Sequence, residues 1–335
     1  MDIPSLKKAL LNPAIYPDRP KRIGFFETHI SLLFFTGNHV YKVKKPVNFG
    51  FLDFASLEKR RHFCDEEVRL NRRLATDLYL GVVPITKDQS GVTLGGSGDV
   101  VDYAVHMKQL SEELLMDQLL EKNQVTLKMI EAVAEKLVGF YGSAETSRLI
   151  QDFGRPGRVK QDTDENFEQT RRYIDLVIPQ RVYEEIQTRT NDFLRVQGER
   201  FERRMAGEKI RDCHGDLRLE HIFWGDSIAI FDCIEFNERF RYTDVAADIG
   251  FLAMDLDYRG RQDLSDHLIQ SYILRSGDEG VKGVLDFYKC YRAYVRGKVE
   301  SFRLDDSNIP EREKEEARKR ASKYFELSDG YSQVF

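Results

Sequence analysis

The hydrophobic pattern of this chain changes near residue 107, and that change limits the folds the chain can adopt. Before it, short apolar and aromatic runs are separated by turn residues, which is typical of β-strands; after it, apolar residues recur at helical spacing over long stretches. The chain therefore supplies a sheet first and a set of helices second. We expect an α+β fold with a small β-rich N-terminal lobe over residues 1–107 and a larger helical C-terminal lobe over residues 108–335.

The β-rich part contains one helical segment. Phe63, Leu70 and Leu74 share a narrow arc at helical spacing, whereas the neighbouring apolar runs are bounded by glycine and asparagine turns. The elements predicted for this part are strands within residues 22–49, a helix over 55–75, and strands at 80–85 and 100–107 joined by the glycine-rich turn 95–98.

The later part has helical periodicity throughout. Asn123 is placed to cap the first of its helices. The segments predicted to be helical are 124–142, the sequence that follows the charged stretch 155–172 up to about residue 210, 244–275, 282–303 and a highly charged stretch that starts near Pro310. Because that last stretch is so rich in charge, we expect it to be a solvated surface helix.

The composition argues against several classes of function. The 51 Lys and Arg residues against 56 Asp and Glu leave a formal net charge of −5, which disfavours non-specific binding to nucleic acid. No apolar run approaches the length of a membrane span, and residues 1–20 lack the apolar block of a secretory signal. The four cysteines have no C-x-x-C spacing, which favours a reducing compartment over disulfides or a zinc ribbon. We therefore expect a cytoplasmic protein without nucleic-acid or membrane partners.

The most informative segment is RDCHGDLRLEHIFWGDSIAIFD, residues 211–232. Its second half has the pattern of a β-hairpin, with two apolar runs around a Gly225-Asp226 loop that suits a type II′ turn. A two-residue loop places His221 opposite Ile230. The hairpin should therefore return the end of the segment to the loop where the segment begins.

This reversal is expected to bring two carboxylates and two imidazoles together, those of His214, Asp216, His221 and Asp232. In such a cluster, one carboxylate can take the proton of an attacking hydroxyl while the other holds a divalent metal on a polyphosphate. Magnesium prefers oxygen ligands, so one or two carboxylates suffice for it. A metal-dependent hydrolase is an alternative, although the sequence has no H-E-x-x-H and no third closely spaced histidine. The less specific interpretation is that the two aspartates only cap turns.

The segment also has the features of a known family. A His-Gly-Asp-Leu motif, a hydrogen-bonding residue five places after the Asp, and a short hairpin that ends apolar-apolar-Asp resemble the aminoglycoside phosphotransferase-like family of the protein-kinase-like fold, which includes choline, homoserine and fructosamine kinases. Residues 40–61, 70–86 and 233–257 are similar in particular to the kinase-like domain that some bacteria fuse to a P-loop ATPase domain. This sequence has no G-x-x-x-x-G-K-[ST] motif.

The resemblance implies a protein-kinase-like bilobal fold and a phosphotransferase that uses ATP and Mg²⁺ to phosphorylate a hydroxyl of a small molecule. It also leaves open a separate P-loop ATPase partner. A nucleotide-binding regulatory protein or pseudokinase with little turnover is the alternative function, because no glycine-rich loop precedes the candidate phosphate-binding lysines and one metal-binding position departs from the family.

The resemblance assigns roles around the two carboxylates. Asp216 matches the catalytic base, and Asp232 matches the metal-holding aspartate, the counterpart of the D-F-G aspartate of protein kinases. His221 stands where the family usually has Asn, the second metal contact, and this departure leaves the number of metal ions open. His214 is expected to brace the catalytic loop more than to react. Asp248 matches a helix aspartate that orients this loop, with a charge favoured by the helix dipole as an equal alternative.

The nucleotide phosphates need a cation that a helix glutamate steadies. Lys42 and Lys44 point to the same face of one strand, and the family spacing favours Lys42 with Lys44 in reserve; lysines that blunt an exposed strand edge are the alternative. Glu67 fits the family spacing better than Glu66. By resemblance, the remaining cofactor-binding positions are Thr28 and Ser31 over the phosphates, and Met107 and Gln109 beside the adenine.

Two further features have weaker interpretations. Arg292, Arg296 and Lys298 are candidates to meet an anionic acceptor, although solvated helix charges are the commoner explanation. Asp152-Phe153-Gly154 is a literal D-F-G, but it precedes the catalytic segment and is followed by loop residues, so we expect a turn.

Overall fold

This computed structural model describes residues 1–307 and 309–335. The chain forms two compact units: a sheet unit of Met1–Gln124 with Glu220–Glu238, and a helical unit of Val125–Leu219 with Arg239–Phe335. These units divide the chain differently from the expected lobes of 1–107 and 108–335. The difference has a packing reason, because Phe231 lies against the same apolar cluster as Val40 and Met107 and so joins its segment to the sheet unit.

The described residues contain both kinds of regular element. The strands are β1 (Gly24–Glu27), β2 (Ser31–Phe35), β3 (His39–Lys44), β4 (Tyr79–Asp88), β5 (Gly91–Leu94), β6 (Asp99–Lys108), β7 (Ile210–Asp212), β8 (Ile222–Trp224), β9 (Ile228–Ile230) and β10 (Tyr242–Asp244). The α-helices are α1 (Ile3–Leu10), α2 (Leu57–Asn71), α3 (Met116–Glu121), α4 (Leu127–Ser143), α5 (Arg148–Gln151), α6 (Pro156–Thr170), α7 (Gln180–Val196), α8 (Gly198–Ala206), α9 (Val245–Tyr258), α10 (Gln262–Ser276), α11 (Leu285–Phe302) and α12 (Glu311–Ser332).

The sheet unit is built on an antiparallel six-stranded sheet in the order β1-β2-β3-β6-β4-β5. Side chains alternate between its two faces. One face buries Phe34 and Tyr41 against Leu6 and Leu10 of α1. The other face packs on α2 and carries Lys42 and Lys44 of β3. The strand alternation therefore decides that both lysines meet the same helix.

The α2 helix forms over the segment where helical periodicity predicts it. Ser56 caps its N-terminus by accepting a hydrogen bond from Lys59 N at 3.2 Å. Leu70 and Leu74, two of the three residues expected on its apolar face, are buried, although the helix ends at Asn71 and Leu74 lies in the turn that follows. Glu67 is completely buried as well, so this face of α2 carries an acidic group into the unit.

The β8–β9 hairpin forms, but its expected register is wrong by one residue. Ile222, rather than His221, pairs with Ile230, and the loop has three residues, 225–227. A Cβ at Gly225 would lie 2.4 Å from the ring of Phe223, so only glycine fits at the start of the loop without moving that ring. The longer loop keeps apolar residues paired with apolar residues.

The helical unit contains two local differences from the sequence expectation. Thr126, not Asn123, caps α4, and its hydroxyl accepts from Met129 N at 3.4 Å. Asn123 instead has φ +56, the left-handed conformation that asparagine tolerates well. The segment 244–275 contains two helices rather than one, because Gly260, with φ +75, lies between them.

The literal D-F-G is a turn, as expected. Asp152–Gly154 forms a single 3₁₀ turn, and Arg155 Nε donates to Asp152 Oδ1 at 2.8 Å. A Cβ at Gly154 would lie 2.5 Å from the Ile210 side chain, so close packing against Ile210 leaves no room for a larger residue at this position.

The charged C-terminal helix is not simply a solvated surface helix. α12 packs along α11 and buries Ala321 and Phe325. The Phe325 ring lies 5.1 Å from the Tyr294 ring, and a Cβ at Gly297 would be 2.8 Å from it. The charges occupy the opposite face, so a narrow apolar stripe is enough to dock the helix.

No helix among the described residues is long and apolar enough to cross a lipid bilayer.

The docking of α12 can be tested with one buried and one exposed substitution. Phe325→Ala should lower the free energy of unfolding by about 3–5 kcal/mol, because it leaves a cavity beside Tyr294. Lys319→Ala on the same helix, where the lysine is 63% exposed, should change it by less than about 0.5 kcal/mol. Urea unfolding of both variants checks this, and equal effects would contradict the packing.

Candidate active site

Two lysines of β3 meet one glutamate of α2. Lys42 Nζ lies 2.8 Å from Glu67 Oε1, and Lys44 Nζ lies 2.6 Å from Glu67 Oε2. The glutamate side chain is only 1% exposed. Each carboxylate oxygen of Glu67 therefore holds one lysine, and the expected Lys42–Glu67 pair is present.

The segment after the hairpin supplies two more carboxylates. Asp232 Oδ1 lies 2.9 Å from Lys42 Nζ, and Glu235 contacts Lys44 Nζ. Acidic and basic groups alternate in the sequence Asp232, Lys42, Glu67, Lys44, Glu235, which we call the charge ring. Because its two ends are only three residues apart in the chain, the ring fixes this segment against β3.

The two ends of the charge ring differ in their access to solvent. Asp232 is 47% exposed and Lys42 is 13% exposed, whereas Lys44 is 1% exposed and Glu235 is 6% exposed. A ligand can reach Asp232 and Lys42, but Lys44 is committed to its two glutamates. This favours Lys42 as the cation for a ligand and gives Lys44 a supporting place.

Burial and charge act in opposite directions on these groups. Burial would lower the pKa of Lys42, but Asp232, Glu67 and Glu235 outweigh it and hold that pKa well above its usual value. Burial would raise the pKa of Glu67, but the two lysines hold it below the usual value. For Glu235, burial outweighs the attraction of Lys44, so its pKa is raised.

Hydrogen bonds from neighbouring elements hold Asp232 in place. Its φ of +61 is in the left-handed region, and its backbone N–H donates to Tyr79 Oη at 3.3 Å. The next amide, Cys233 N, donates to Asn71 Oδ1 at 2.9 Å, and Asn71 Nδ2 donates to the Glu67 carbonyl at 2.9 Å. The α2 helix therefore supplies both the central glutamate and a group that positions the residue after Asp232.

His221 lies beside Asp232, as the sequence predicts, although the hairpin register differs. His221 Nε2 is 3.7 Å from Asp232 Oδ2 and 3.5 Å from Glu220 Oε1. Its carbonyl accepts from Phe231 N at 3.0 Å, which continues the hairpin by one pair. Metal contact by His221 stays a prediction.

The candidate phosphate-covering turn between β1 and β2 is bonded internally. Thr28 Oγ1 accepts from Ile30 N at 3.2 Å and from Ser31 N at 2.9 Å. Ser31 is 1% exposed. Lys45 Nζ donates to the Thr28 carbonyl at 2.7 Å and further fixes the turn. Contact of Thr28 and Ser31 with phosphate stays a prediction.

The predicted adenine-side residues follow the end of β6. Met107 is buried in the same apolar cluster as Val40. Gln109 N donates to the Asn38 carbonyl at 2.8 Å, and Gln109 Oε1 accepts from Gly37 N at 2.9 Å. The segment after β6 is therefore tied to the β2–β3 turn.

The helical unit holds the candidate catalytic loop. His214 N and Gly215 N donate to the two oxygens of Asp248, at 3.1 and 2.9 Å, and Tyr141 Oη donates to Asp248 at 3.1 Å. His214 is completely buried, and its Nδ1 accepts from Asp216 N at 3.3 Å. Asp248 therefore orients the loop, and His214 braces it. Because Asp216 and Asp232 belong to different units, their expected convergence stays a prediction.

An arginine pairs with the candidate base. Arg218 donates to both carboxylate oxygens of Asp216, at 3.0 and 2.9 Å. The Asp216 side chain remains 25% exposed. This two-point contact fixes the orientation of the carboxylate while leaving part of it open to solvent.

The three cations of α11 that were candidates for an acceptor site make contacts within the helical unit. Arg292 is 6% exposed and donates to the Gly215 carbonyl at 3.0 Å, so it supports the catalytic loop. Arg296 donates to Glu300 at 3.2 Å. Lys298 donates to Asn166 and Gln169 at 2.6 and 2.8 Å, and burial lowers its pKa to about 8. Arg292 is therefore not a solvated helix charge, and contact of these three residues with an acceptor stays a prediction.

Comparison with known proteins gives relatives without an assigned function. No family model matches the sequence. Uncharacterized proteins of Mycobacterium tuberculosis and Mycobacterium bovis are 34% identical over 279 residues, which is 83% of this chain and 54% of theirs. The chain therefore spans about half the length of the curated relatives it matches.

Solved structures decide the fold. A choline/ethanolamine kinase family protein from Mesorhizobium loti has a TM-score of 0.50 at 12% identity, over 99% of this chain and 100% of that one. A protein from Ralstonia eutropha, provisionally named an aminoglycoside phosphotransferase, has a TM-score of 0.54 at 14% identity, over 93% and 92%. The fold is kinase-like. The expected fold class is confirmed. The particular similarity to the stand-alone form of the kinase-like domain that is elsewhere fused to a P-loop ATPase domain stays a prediction, as does a separate P-loop partner.

The donor set of the kinase-like sheet unit fits magnesium through Asp232. Among the described residues, no group of three or more His, Cys, Asp and Glu side chains is arranged to hold a metal ion. Magnesium in phosphate-transfer sites commonly uses one or two carboxylates together with substrate phosphates, and it needs no such group. The exposed carboxylate of Asp232 matches that requirement.

Sequence reasoning missed three residues that this site uses: Glu235, Asn71 and Arg218. Only Glu235 left a signal, since a second lysine two places from Lys42 points to the same face and requires a second carboxylate. The contact of Asn71 with Cys233 joins residues far apart in the chain, and the contact of Arg218 with Asp216 depends on the conformation of the loop between them, which its sequence pattern does not specify.

The choice between neighbouring glutamates of α2 can be tested by stability. Glu67→Gln should lower the free energy of unfolding by about 3–5 kcal/mol, because it removes the charge that two buried lysines share. Glu66→Gln, whose partner Arg69 is 53% exposed, should cost less than about 1 kcal/mol. Urea unfolding at neutral pH gives both values. A larger loss for Glu66→Gln would contradict the charge ring.

Proposed function

We propose that this protein is a small-molecule kinase that transfers the terminal phosphoryl group of ATP to a hydroxyl. The observation that carries the proposal is the environment of Lys42. Solvent can reach this lysine, buried Glu67 pairs with it on one side, and the exposed carboxylate of Asp232 pairs with it on the other. A metal-bound polyphosphate requires this combination of a fixed cation and an open carboxylate. The kinase-like fold is the second support.

The side chains around Lys42 support an orientation for ATP. Val40 is two residues before Lys42 on β3 and points to the same face of the sheet as Lys42. Its cross-strand neighbours are Phe35 of β2 and Met107 of β6. These apolar side chains suit a purine ring, whereas Lys42 suits phosphate. We therefore place the phosphates at Lys42 and the base toward Val40 and Met107.

Each residue of the proposed mechanism has one task. Lys42 neutralises charge on the phosphates, and Asp216 accepts the proton of the acceptor hydroxyl. A divalent cation held by Asp232 would supply further charge neutralisation on the polyphosphate. Asp248 and Arg292 are positioning residues, since they act through the backbone of the catalytic loop.

The acceptor must be found before turnover can be compared. A panel of small molecules with hydroxyl groups, assayed with Mg-ATP by ADP release, tests the proposal directly. Binding of Mg-ATP without turnover across the panel would instead support the regulatory or pseudokinase alternative. Phosphoester cleavage without nucleotide would support a hydrolase.

With an acceptor identified, Asp216→Asn tests the base. The substitution keeps the size of the side chain but removes its basicity, so turnover should fall at least ~100-fold while ATP affinity, measured by calorimetry, stays within about twofold. Asp226→Asn, at an exposed position in the hairpin loop, is the matched control and should retain full turnover. Parental turnover in Asp216→Asn would show that another group takes the proton.

A second substitution tests Asp232 by binding alone. Lys42 and Asp232 contact each other, so phosphate must replace this contact when it binds Lys42. Asp232→Ala should weaken binding of Mg-ATP at least ~10-fold, whereas metal-free ATP should bind at least as well as to the parent because Lys42 has lost a competing partner. Calorimetry with and without magnesium separates the two effects. Equal weakening in both conditions would contradict a metal-holding role for Asp232.

A further inference from the structure

A basic groove lies within the helical unit, between α8 and the segment that precedes α11. Its volume is about 460 Å³, and the charged residues that line it are Arg200, Arg203, Arg204, Lys209, Asp278 and Glu279. The chain as a whole carries a net charge of −5, so an excess of basic residues around one concavity runs against the general composition. The ion pairs within the groove show which of these basic residues are already neutralised by carboxylates.

Arg204 belongs to a network at the base of the groove. It is 4% exposed and donates to both carboxylate oxygens of Asp244, at 2.8 and 2.6 Å, and it also contacts Asp278. Tyr272 Oη donates to the second oxygen of Asp278 at 3.0 Å. The Asp278 carboxylate is therefore already engaged by two closer partners, Arg204 and Tyr272.

The other three cations have weak or distant carboxylate contacts in the described part of the chain. Arg200 donates to the Gly283 carbonyl at 2.7 Å, which orients the guanidinium without neutralising it. Lys209 Nζ is 4.0 Å from Asp278 Oδ2, a longer separation than the contacts that Arg204 and Tyr272 make with the same carboxylate. Arg203 is 70% exposed, and its contact at 3.7 Å is with Glu199, which is 91% exposed.

Two glycines leave room for the guanidinium groups. A Cβ at Gly283 would lie 3.2 Å from Arg200 Nη1, and a Cβ at Gly280 would lie 3.5 Å from Arg204 Nη1. Side chains at these two positions would crowd the wall of the groove. The segment that contains Gly280 and Gly283 therefore lies close to the guanidinium groups. Glu279 of the same segment is paired with Lys282 at 2.6 Å.

We propose that this groove binds a small polyphosphate anion. Arginine forks match phosphate oxygens in geometry, and three incompletely neutralised cations suit a ligand with several negative charges better than a single carboxylate. The volume is within the usual range of small-molecule sites. Asp244, which Arg204 holds, also caps α9 and accepts from Ala246 N at 2.8 Å, so the base of the groove is fixed to the helix that contains Asp248. The proposal is independent of the proposed kinase activity.

Calorimetric titration of the full chain with inorganic pyrophosphate tests this site. We use the Lys42→Ala background, in which the cation proposed for ATP phosphates is absent. Because this substitution removes one partner of buried Glu67, folding of the background is checked first by urea unfolding, and the parent chain without magnesium replaces it if it does not fold. One binding event is expected, and the combined Arg200→Gln and Lys209→Gln substitutions should weaken it at least ~10-fold, since each removes a charge-assisted contact. Arg181→Gln with Arg195→Gln, on α7 with side chains 75% and 72% exposed, is the matched control and should bind as the background protein does.

The outcomes separate the proposal from its rivals. Weaker binding at higher salt, together with loss in the groove variant and retention in the control, supports it. Absence of pyrophosphate binding to the folded background protein, or equal affinity of the groove variant and the control, overturns it. If the double variant does not fold, Arg203→Gln replaces it, because that exposed side chain contributes little to stability; a loss of at least ~3-fold in affinity is then expected, and no loss overturns the proposal.

Discussion

The sharing of Glu67 between Lys42 and Lys44 is the interaction on which the sheet unit depends. Three of the five members of the charge ring are almost completely buried, and removing an ion from water costs several kcal/mol. Only close opposite charges on both sides offset that cost. Glu67 and Lys44 each lie between two opposite charges and satisfy this condition, whereas Glu235, at one end, contacts only Lys44 and has a raised pKa. Loss of Glu67 or Lys44 would leave an uncompensated charge inside the unit.

This requirement explains why three separate elements are fixed together. β3 supplies the lysines, α2 supplies Glu67, and the segment after the hairpin supplies Asp232 and Glu235. The buried part of the ring gives rigidity, while its exposed end leaves Asp232 partly open to solvent. The candidate catalytic loop in the helical unit follows the same rule, because buried Asp248 accepts from two successive backbone amides and a tyrosine hydroxyl.

The sequence predicted much of the fold and part of the site. Periodicity was sufficient for α2 and for the strands at 80–85 and 100–107, since each buries one face and the pattern records that face. The sequence pattern was insufficient for the β8–β9 register, because that register depends on whether the loop has two or three residues. The observed loop has three, and at its start the Phe223 ring lies close to Gly225. The pattern also misjudged α12, because net charge obscured a narrow stripe that includes Phe325.

The sequence by itself determined which residue types were available and which face each would occupy: two lysines on one side of a strand, an inward glutamate on the next helix, and a histidine and aspartates around a hairpin. These follow from local geometry, which chain order encodes directly. Only the tertiary structure decided that Glu67 serves both lysines, that Glu235 completes the charge ring and that Arg218 holds Asp216. Those pairings depend on distances of a few ångströms, many of them between residues far apart in the chain, and burial makes the distances decisive.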